Sequence, residues 1–333
     1  MRHFVVVGVL VILVAGLTYI GLDSLGLMPI AASAQAIPID WMWNWQVVAI
    51  SFLFSLIIVP MIYSMIVFRR RKGDTTDAEH IEGNTNLEIA WTVLPLFLVL
   101  TFAYMGAFSL GEMRRADPNA MIIKVSGQQW TWTFEYPETG VVSSELHLPL
   151  NRQVLLMMES KDVIHSFWVP EFRVKQDVVP GRITEYRITP SLVGTYMVRC
   201  AEICGTSHAY MESRVIVDDV AIFEAWMDEQ AELAAIKTPE GMGKQLVTAN
   251  GCLGCHSITS VSLATAPTWF GLYGAEVPLA DGTTVISDDA YIAESILAPK
   301  AKEVAGYSPT IMPAFTLTDE EIAHIIAYIK TLK

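Results

Sequence analysis

The rhythm of polar and apolar positions changes several times along the chain. Residues 4–22, 47–68 and 89–110 form runs without a charged residue. Each is long enough to cross a hydrocarbon core of ~30 Å as a helix rising ~1.5 Å per residue. Pro60 and Pro95 fall inside the second and third runs. Either would break a helix in water, but neighbouring helices in a bilayer satisfy the freed backbone groups. Between residues 120 and 217 the pattern shortens to period two, in runs such as IIKV, WTWTFEY, QVLLMM, RITEYRI and YMVRC, with turn signals PETG, PLN, VPG and PSLVG between them. This alternation, rich in β-branched and aromatic residues, predicts a β-sandwich or barrel, with Met157 and Met158 in its core. DDVAIFEAWMDEQAELAAI (218–236) has neither Gly nor Pro and predicts a linker helix that ends at KTPEG. From about residue 240 the pattern is helical with glycine-rich loops. It closes on DEEIAHIIAYIKTL (319–332), whose apolar side is Leu317, Ile322, Ile325, Ile326 and Ile329. The expected organisation is a leader or helix plus two transmembrane helices (1–118), an all-β domain (119–217), a linker helix (218–238) and an all-α domain (239–333).

Charge orients this plan. RRRK (69–72) lies between the second and third runs and Arg2 precedes the first, so both belong on the cytoplasmic side and everything after about residue 115 lies outside. ASA and AQA (32–36) resemble a signal-peptidase site, so the first run is read either as a cleaved leader or as a retained helix; the topology downstream is the same. Of 333 residues 52% are hydrophobic and 17% charged, a mean hydropathy of +0.40 that is high for a soluble protein. The net charge is −13, with most acids after residue 110. Such an exterior is unsuited to nucleic acid. It suits a basic partner, or simply a solvated surface.

The four cysteines form two pairs, Cys200/Cys204 and Cys252/Cys255, both outside the membrane, where two local disulfides would persist. CLGCH (252–256) is instead the pattern of c-type haem attachment, with Cys252 and Cys255 as thioether anchors and His256 as the proximal iron ligand. Met312 is the only methionine after His256. A thioether opposite an imidazole suits a cytochrome c and raises its potential; His324, on the closing helix, is the alternative ligand. APTWFGLYG (266–274) together with the closing helix resembles a class I cytochrome c, and that resemblance implies that the Pro267 carbonyl accepts the other ring N–H of His256.

The first pair stands in VRCAEICGTSHAYM (198–211). Thiolate and thioether are soft ligands that select copper or zinc, and imidazole suits both. Structural zinc rarely takes Met, and a mononuclear blue copper site has room for only one Cys. Two thiolates can bridge two coppers, each completed by one imidazole and one weak ligand. His165, 35 residues before Cys200, supplies the second imidazole once a sandwich brings the two loops together. The ligand set is then His165, Cys200, Cys204, His208, Met211 and the backbone carbonyl of Glu202.

HSFWVPEFRVKQDVVPGR (165–182) and CAEICGTSHAYM (200–211) resemble the binuclear copper A domain of subunit II of haem–copper cytochrome c oxidases. GQQWTWTFEY (127–136) is similar to that family's aromatic segment and LEIAWTVLP (87–95) to the start of its second helix. The resemblance runs from about residue 40 to 218 and implies a cupredoxin-like sandwich. With the haem segment it implies the variant that carries its own cytochrome c. By position it makes Trp130 the point of electron entry, the Glu202 side chain a ligand to magnesium at the interface with subunit I, with Asp177 nearby, and Glu88 the mouth of a proton channel. Trp130 also reads as a strand aromatic, and Glu88 as a carboxylate favourable to a helix N-terminus. PETGVVSS (137–144) departs from the family in having few of the acids that dock soluble cytochrome c. The partners implied are subunit I, further oxidase subunits, membrane lipid and an external electron donor. The rivals are the copper A subunit of a nitric oxide reductase and, from a different class, a membrane-anchored copper chaperone. His3, His80, His147 and His324 have no partner pattern and read as surface or packing residues.

Overall fold

The computed structural model describes residues 1–77, 80, 82–263, 265–307, 312–315 and 317–333. They fall into two units, residues 1–30 with 35–115, and residues 31–34 with 116–333.

The first unit holds three helices, α1 (Arg2–Ser24), α2 (Ala36–Val67) and α3 (Thr85–Met113), all long and apolar enough to cross a membrane. Helix α2 begins at Ala36, ahead of the charge-free run that predicted it, because Asp40 is an isolated charge in a stretch with no helix breaker other than Pro38 in its first turn. Pro60 and Pro95 both lie inside helices. Ser51, Ser55 and Val59 are buried along one side of α2, and Ser55 Oγ donates to the Ser51 carbonyl at 2.8 Å. His3 Nδ1 lies 2.7 Å from Tyr63 Oη, tying the start of α1 to α2. The Asn84 side chain caps α3 by accepting from Leu87 N at 3.1 Å.

The second unit begins with a cupredoxin-like sandwich. Its strands are β1 (Met121–Gln128), β2 (Thr131–Tyr136), β3 (Val141–Ser143), β4 (Leu146–Pro149), β5 (Val154–Ser160), β6 (His165–Val169), β7 (Val174–Val178), β8 (Thr184–Ile188), β9 (Gly194–Cys200) and β10 (Glu212–Asp218). One sheet runs β3-β2-β1-β5-β8 and the other β4-β10-β9-β6-β7. The pairs β1/β5 and β4/β10 are parallel and the rest antiparallel. Alternation puts Ile123, Val125, Val154, Leu156 and Met158 fully inside. Met157 is only half-buried, because the strand's period of two sends neighbours to opposite faces, so only one of the two methionines expected in the core is there. Trp132, Phe134, Phe167, Leu146 and Leu148 complete the centre.

Two further segments join this sandwich. Ala31–Ala34, part of the stretch read as a cleavage signal, runs along it as an added edge: Ala32 N donates to the Glu171 carbonyl and Ala34 N to the Thr189 carbonyl, each at 2.9 Å, and Ala32 and Ser33 are buried. Helix α4 (Val220–Ala235) is docked rather than a free linker. Phe223 and Met227 enter the sandwich core, and Trp226 stacks on His147 with ring centroids 3.7 Å apart and planes 8° from parallel. His147 is therefore a packing residue, and Tyr136 Oη holds its backbone by donating to its carbonyl and accepting from its N–H.

The C-terminal part contains α5 (Pro239–Ala249), a hairpin of β11 (Glu276–Pro278) and β12 (Thr284–Ile286), α6 (Asp289–Leu297) and α7 (Asp319–Ile329). Ile322, Ile325, Ile326 and Ile329 of α7 are buried as the pattern predicted, with Leu317 packed beside them. Thr318 and Glu321 form a reciprocal capping box at its start. Helices α5 and α7 cross in backbone contact: a Cβ at Gly243 would stand 2.0 Å from the His324 carbonyl oxygen.

Candidate metal and haem centres

The sulfur pair of residues 200 and 204 is positioned by a strand end. Cys200 closes β9, Met211 directly precedes β10, and the Cys200 N–H donates to the Met211 carbonyl at 3.0 Å, so the loop between them is pinned at its base. His165 opens β6, whose Phe167 pairs with Cys200. Sheet register thus brings together side chains 35 residues apart.

The two Sγ atoms lie 3.7 Å apart, far beyond the ~2.05 Å of a disulfide, and all four cysteines of the chain are free. Cys200 Sγ is 3.9 Å from His165 Nδ1 and 3.1 Å from the Glu202 carbonyl oxygen. Cys204 Sγ is 3.5 Å from His208 Nδ1 and 3.8 Å from Met211 Sδ. His165, Cys200, Cys204 and Met211 are buried. All six expected donors converge, and the set of two thiols, two imidazoles, a thioether and a carbonyl fits soft metal ions. Among the described residues, the one group of three converging Cys, His or acidic side chains is His165, Cys200 and Cys204.

Burial resists ionisation of both thiols. At Cys200 the His165 imidazole and the backbone groups of Glu202 and Ser166 outweigh it and hold the thiol below its usual range. At Cys204 burial and the neighbouring Cys200 charge push the thiol up. Two thiolates this close repel each other, so both ionise together only with positive charge beside them.

Three neighbours of the cage, Asp162, Gln129 and Trp132, escaped the sequence reading. Asp162 Oδ1 accepts from His165 Nε2 at 2.8 Å, which leaves Nδ1 facing the sulfurs as a lone-pair donor. The signal was an acid three residues before the ligand, in SKDVIH. Gln129 Nε2 and Trp130 Nε1 both donate to the Cys204 carbonyl, at 2.7 and 3.1 Å. Trp132 stands edge-on to His165, with ring centroids 6.1 Å apart.

Glu202 and Asp177 both have exposed side chains, and Asp177 Oδ1 accepts from Ser166 Oγ at 2.8 Å. Glu88 stands exposed in the first turn of α3.

The second pair is built differently. Cys252–Gly254 is a short 3₁₀ turn after α5, on the wall of a cavity of about 430 Å3. Cys252, Cys255, His256, Met312, Trp269 and Ile325 all line it, whereas His324 is absent from its described lining and gives α7's crossing point instead. His256 Nδ1 donates to the Pro267 carbonyl at 2.9 Å, the contact expected from the cytochrome resemblance, and leaves Nε2 free. Trp269 stacks on the imidazole at 4.8 Å and 21°. Burial pulls His256 down, partly offset by the Pro267 bond, so the ring is held in its neutral, ligating form. Burial also pushes the Cys252 thiol up to about 12 and raises Cys255. An apolar cavity of this size is far larger than a packing void. With two thiols and a neutral imidazole on one wall and a thioether on the lining, it fits a large flat prosthetic group attached through sulfur.

Comparison with known proteins agrees in chain order. Residues 21–110 match the transmembrane domain of cytochrome c oxidase subunit II, 139–220 its periplasmic domain, and 242–333 cytochrome c. Cytochrome c oxidase subunit 2 of Synechocystis sp. is 36% identical over 253 residues, covering 62% of this chain and 76% of that one. Its counterpart in Thermostichus vulcanus is 32% identical over 262 residues, covering 63% and 80%. That of Alkalihalophilus pseudofirmus is 28% identical over 310 residues, covering 88% of each chain. On this breadth of likeness, the chain belongs to the cytochrome c oxidase subunit 2 family and carries a cytochrome c domain beyond its periplasmic domain.

Proposed function

We propose that this chain is the electron-entry subunit of a haem–copper oxidase in a bacterial plasma membrane, taking electrons at its cytochrome domain and passing them through the sandwich to subunit I. When bound, a c-type haem and a two-copper centre supply the one-electron carriers; the reduction of oxygen and the proton pumping coupled to it belong to the partner. Cys252 and Cys255 would anchor the haem through sulfur, His256 and Met312 would offer nitrogen and sulfur to its iron, and the Pro267 carbonyl would keep the imidazole oriented. His165, Cys200, Cys204, His208, Met211 and the Glu202 carbonyl hold the coppers.

The observation that carries this reading is the placement of Trp130. Its ring lines the haem cavity, and its Nε1 donates to the carbonyl of Cys204. One side chain therefore borders the cofactor site of one domain and is bonded to a metal-ligand residue of the other, as an electron-entry residue must be. The Glu202 carboxylate and Asp177, both free of the cage, are available for a magnesium completed by subunit I. Glu88, exposed at a helix N-terminus, suits a proton entrance shared with that subunit. A basic redox protein is the donor class favoured by the net charge of −13.

The names of the relatives favour an oxidase over a nitric oxide reductase, and the all-β surroundings of the cysteines disfavour a chaperone. The deciding experiment is to isolate the complex that contains this chain, reduce the cytochrome domain by a light pulse and follow the copper signal and gas consumption. Copper reduction followed by oxygen uptake supports the reading. Turnover of nitric oxide but not oxygen, or an electron paramagnetic resonance spectrum without splitting by two equivalent coppers, overturns it.

A further inference from the structure

The haem-attachment turn is seated on the sandwich by an unusually close contact. A Cβ at Gly251 would stand 2.1 Å from Thr131 Cγ2, and one at Gly254 would stand 2.7 Å from Thr131 Oγ1 and 3.1 Å from Thr131 Cβ. The two glycines flank Cys252 on one side and precede Cys255 on the other, while Thr131 is the residue after Trp130. Thr131 is buried, with 6% of its surface exposed. Alongside it, Gln128 Nε2 donates to the Asn250 carbonyl at 2.9 Å, fixing the register of the two chain segments.

Gly251 has φ +68, a backbone state that favours glycine whatever its neighbours. Gly254 is not among the glycines with positive φ and closes a short 3₁₀ turn, a conformation open to any residue. Its backbone gives no reason for glycine, but its contact with Thr131 does.

We infer that Thr131 and Gly254 form the docking key of the relay: the bare backbone at Gly254 lets the turn that carries the haem thiols settle on the start of β2 beside Trp130, and any side chain there lifts it away. Both are positioning residues; neither touches a reacting atom. The inference rests on the relay reading above and adds to it which surface must close for electrons to pass.

The test is a steric swap in the intact complex. Gly254→Ala is expected to slow electron delivery from the cytochrome domain to the copper loop by about tenfold or more, as small misplacements of partners do, with the haem spectrum, its midpoint potential and the copper signal unchanged. Hydrogen–deuterium exchange is the independent readout: peptides covering 128–131 and 250–254 should take up deuterium faster. Adding Thr131→Ala to Gly254→Ala removes the nearest clashing atom and should return both rate and protection most of the way to wild type, a coupling that a merely local defect would not show. Thr131→Leu supplies the same clash from the sandwich side and leaves the haem turn untouched, so it answers the question should Gly254→Ala fail to take up haem. Wild-type rates and protection in Gly254→Ala, or in Thr131→Leu in the event of that failure, overturn the inference, as does a double variant no better than the single one. If the wild type itself passes no electrons to copper but loses protection on Gly254→Ala, the relay reading fails while the docking contact stands.

Discussion

Cys200 and Cys204 sit 3.7 Å apart in a loop where imidazole, thioether and carbonyl groups crowd inward, whereas Cys252 and Cys255 sit on the wall of a cavity of about 430 Å3. A cage for small ions needs converging donors, and the polypeptide supplies them by strand register, so the donors of the proposed copper site already stand together. A site for a large flat group needs the reverse. Side chains recede, and the interior of the domain is finished only when the group arrives. A pair of sulfur atoms is therefore a finishing detail on a packed sandwich in one case and part of the wall of a large cavity in the other.

The largest test of that contrast is to remove the second pair. Trp269, Ile292, Ile296, Ile325 and Ile329 belong to the core of this small domain and all face the cavity of about 430 Å3, so the domain depends on that space being filled. Cys252→Ser with Cys255→Ser should therefore leave residues 239–333 open to protease and abolish the haem absorbance, while copper content and the copper signal persist. The matching change at the first pair, Cys204→Ser, should lose copper but keep the sandwich folded. Circular dichroism should be native, with thermal stability lowered by no more than the lost metal binding, about 3–4 kcal/mol at saturating metal.

Smaller effects sharpen the comparison. Met312→Leu should keep the covalently attached haem but lower its midpoint potential, on the order of 0.1 V, since the thioether raises it. Asp162→Asn keeps the shape beside His165 and weakens the grip on its ring, so copper affinity in a chelator competition should fall about 10–100-fold. The smallest effect concerns acid. The His147 ring and Arg214 hold the Glu145 carboxyl below its usual range, against partial burial. A depressed carboxylate contributes stability above its unfolded value and loses it as pH falls through the folded value. Glu145→Gln should thus flatten the acid limb of sandwich unfolding below about pH 5, by under ~1 kcal/mol because the pair is half exposed.

Much of this was readable in advance, for definite reasons. Charge-free runs and period-two strands report burial directly, and the spacings CLGCH and CAEICGTSHAYM report chemistry directly. What escaped depends on neighbours distant in sequence. The start of α2 at Ala36 was hidden because a helix does not stop where its apolar run does. The docking of α4 was written in Phe223, Trp226 and Met227, one helical face, but the surface that receives it, around His147 and Tyr136, lies about eighty to ninety residues away. Asp162 belongs to no motif, and only the fold aims it at His165. Met157 shows the reverse error, an apolar pair read as core when a strand can bury only alternate positions.

With Phe223 and Met227 sunk into the sandwich, α4 contributes nothing to slack between the domains. The chain between the end of α4 and the first turn of α5 is Ile236 to Thr238, three residues. At ~3.3–3.6 Å per residue this leash spans only about 10 Å. Its shortness keeps the cytochrome domain close to the sandwich, within the reach of three residues.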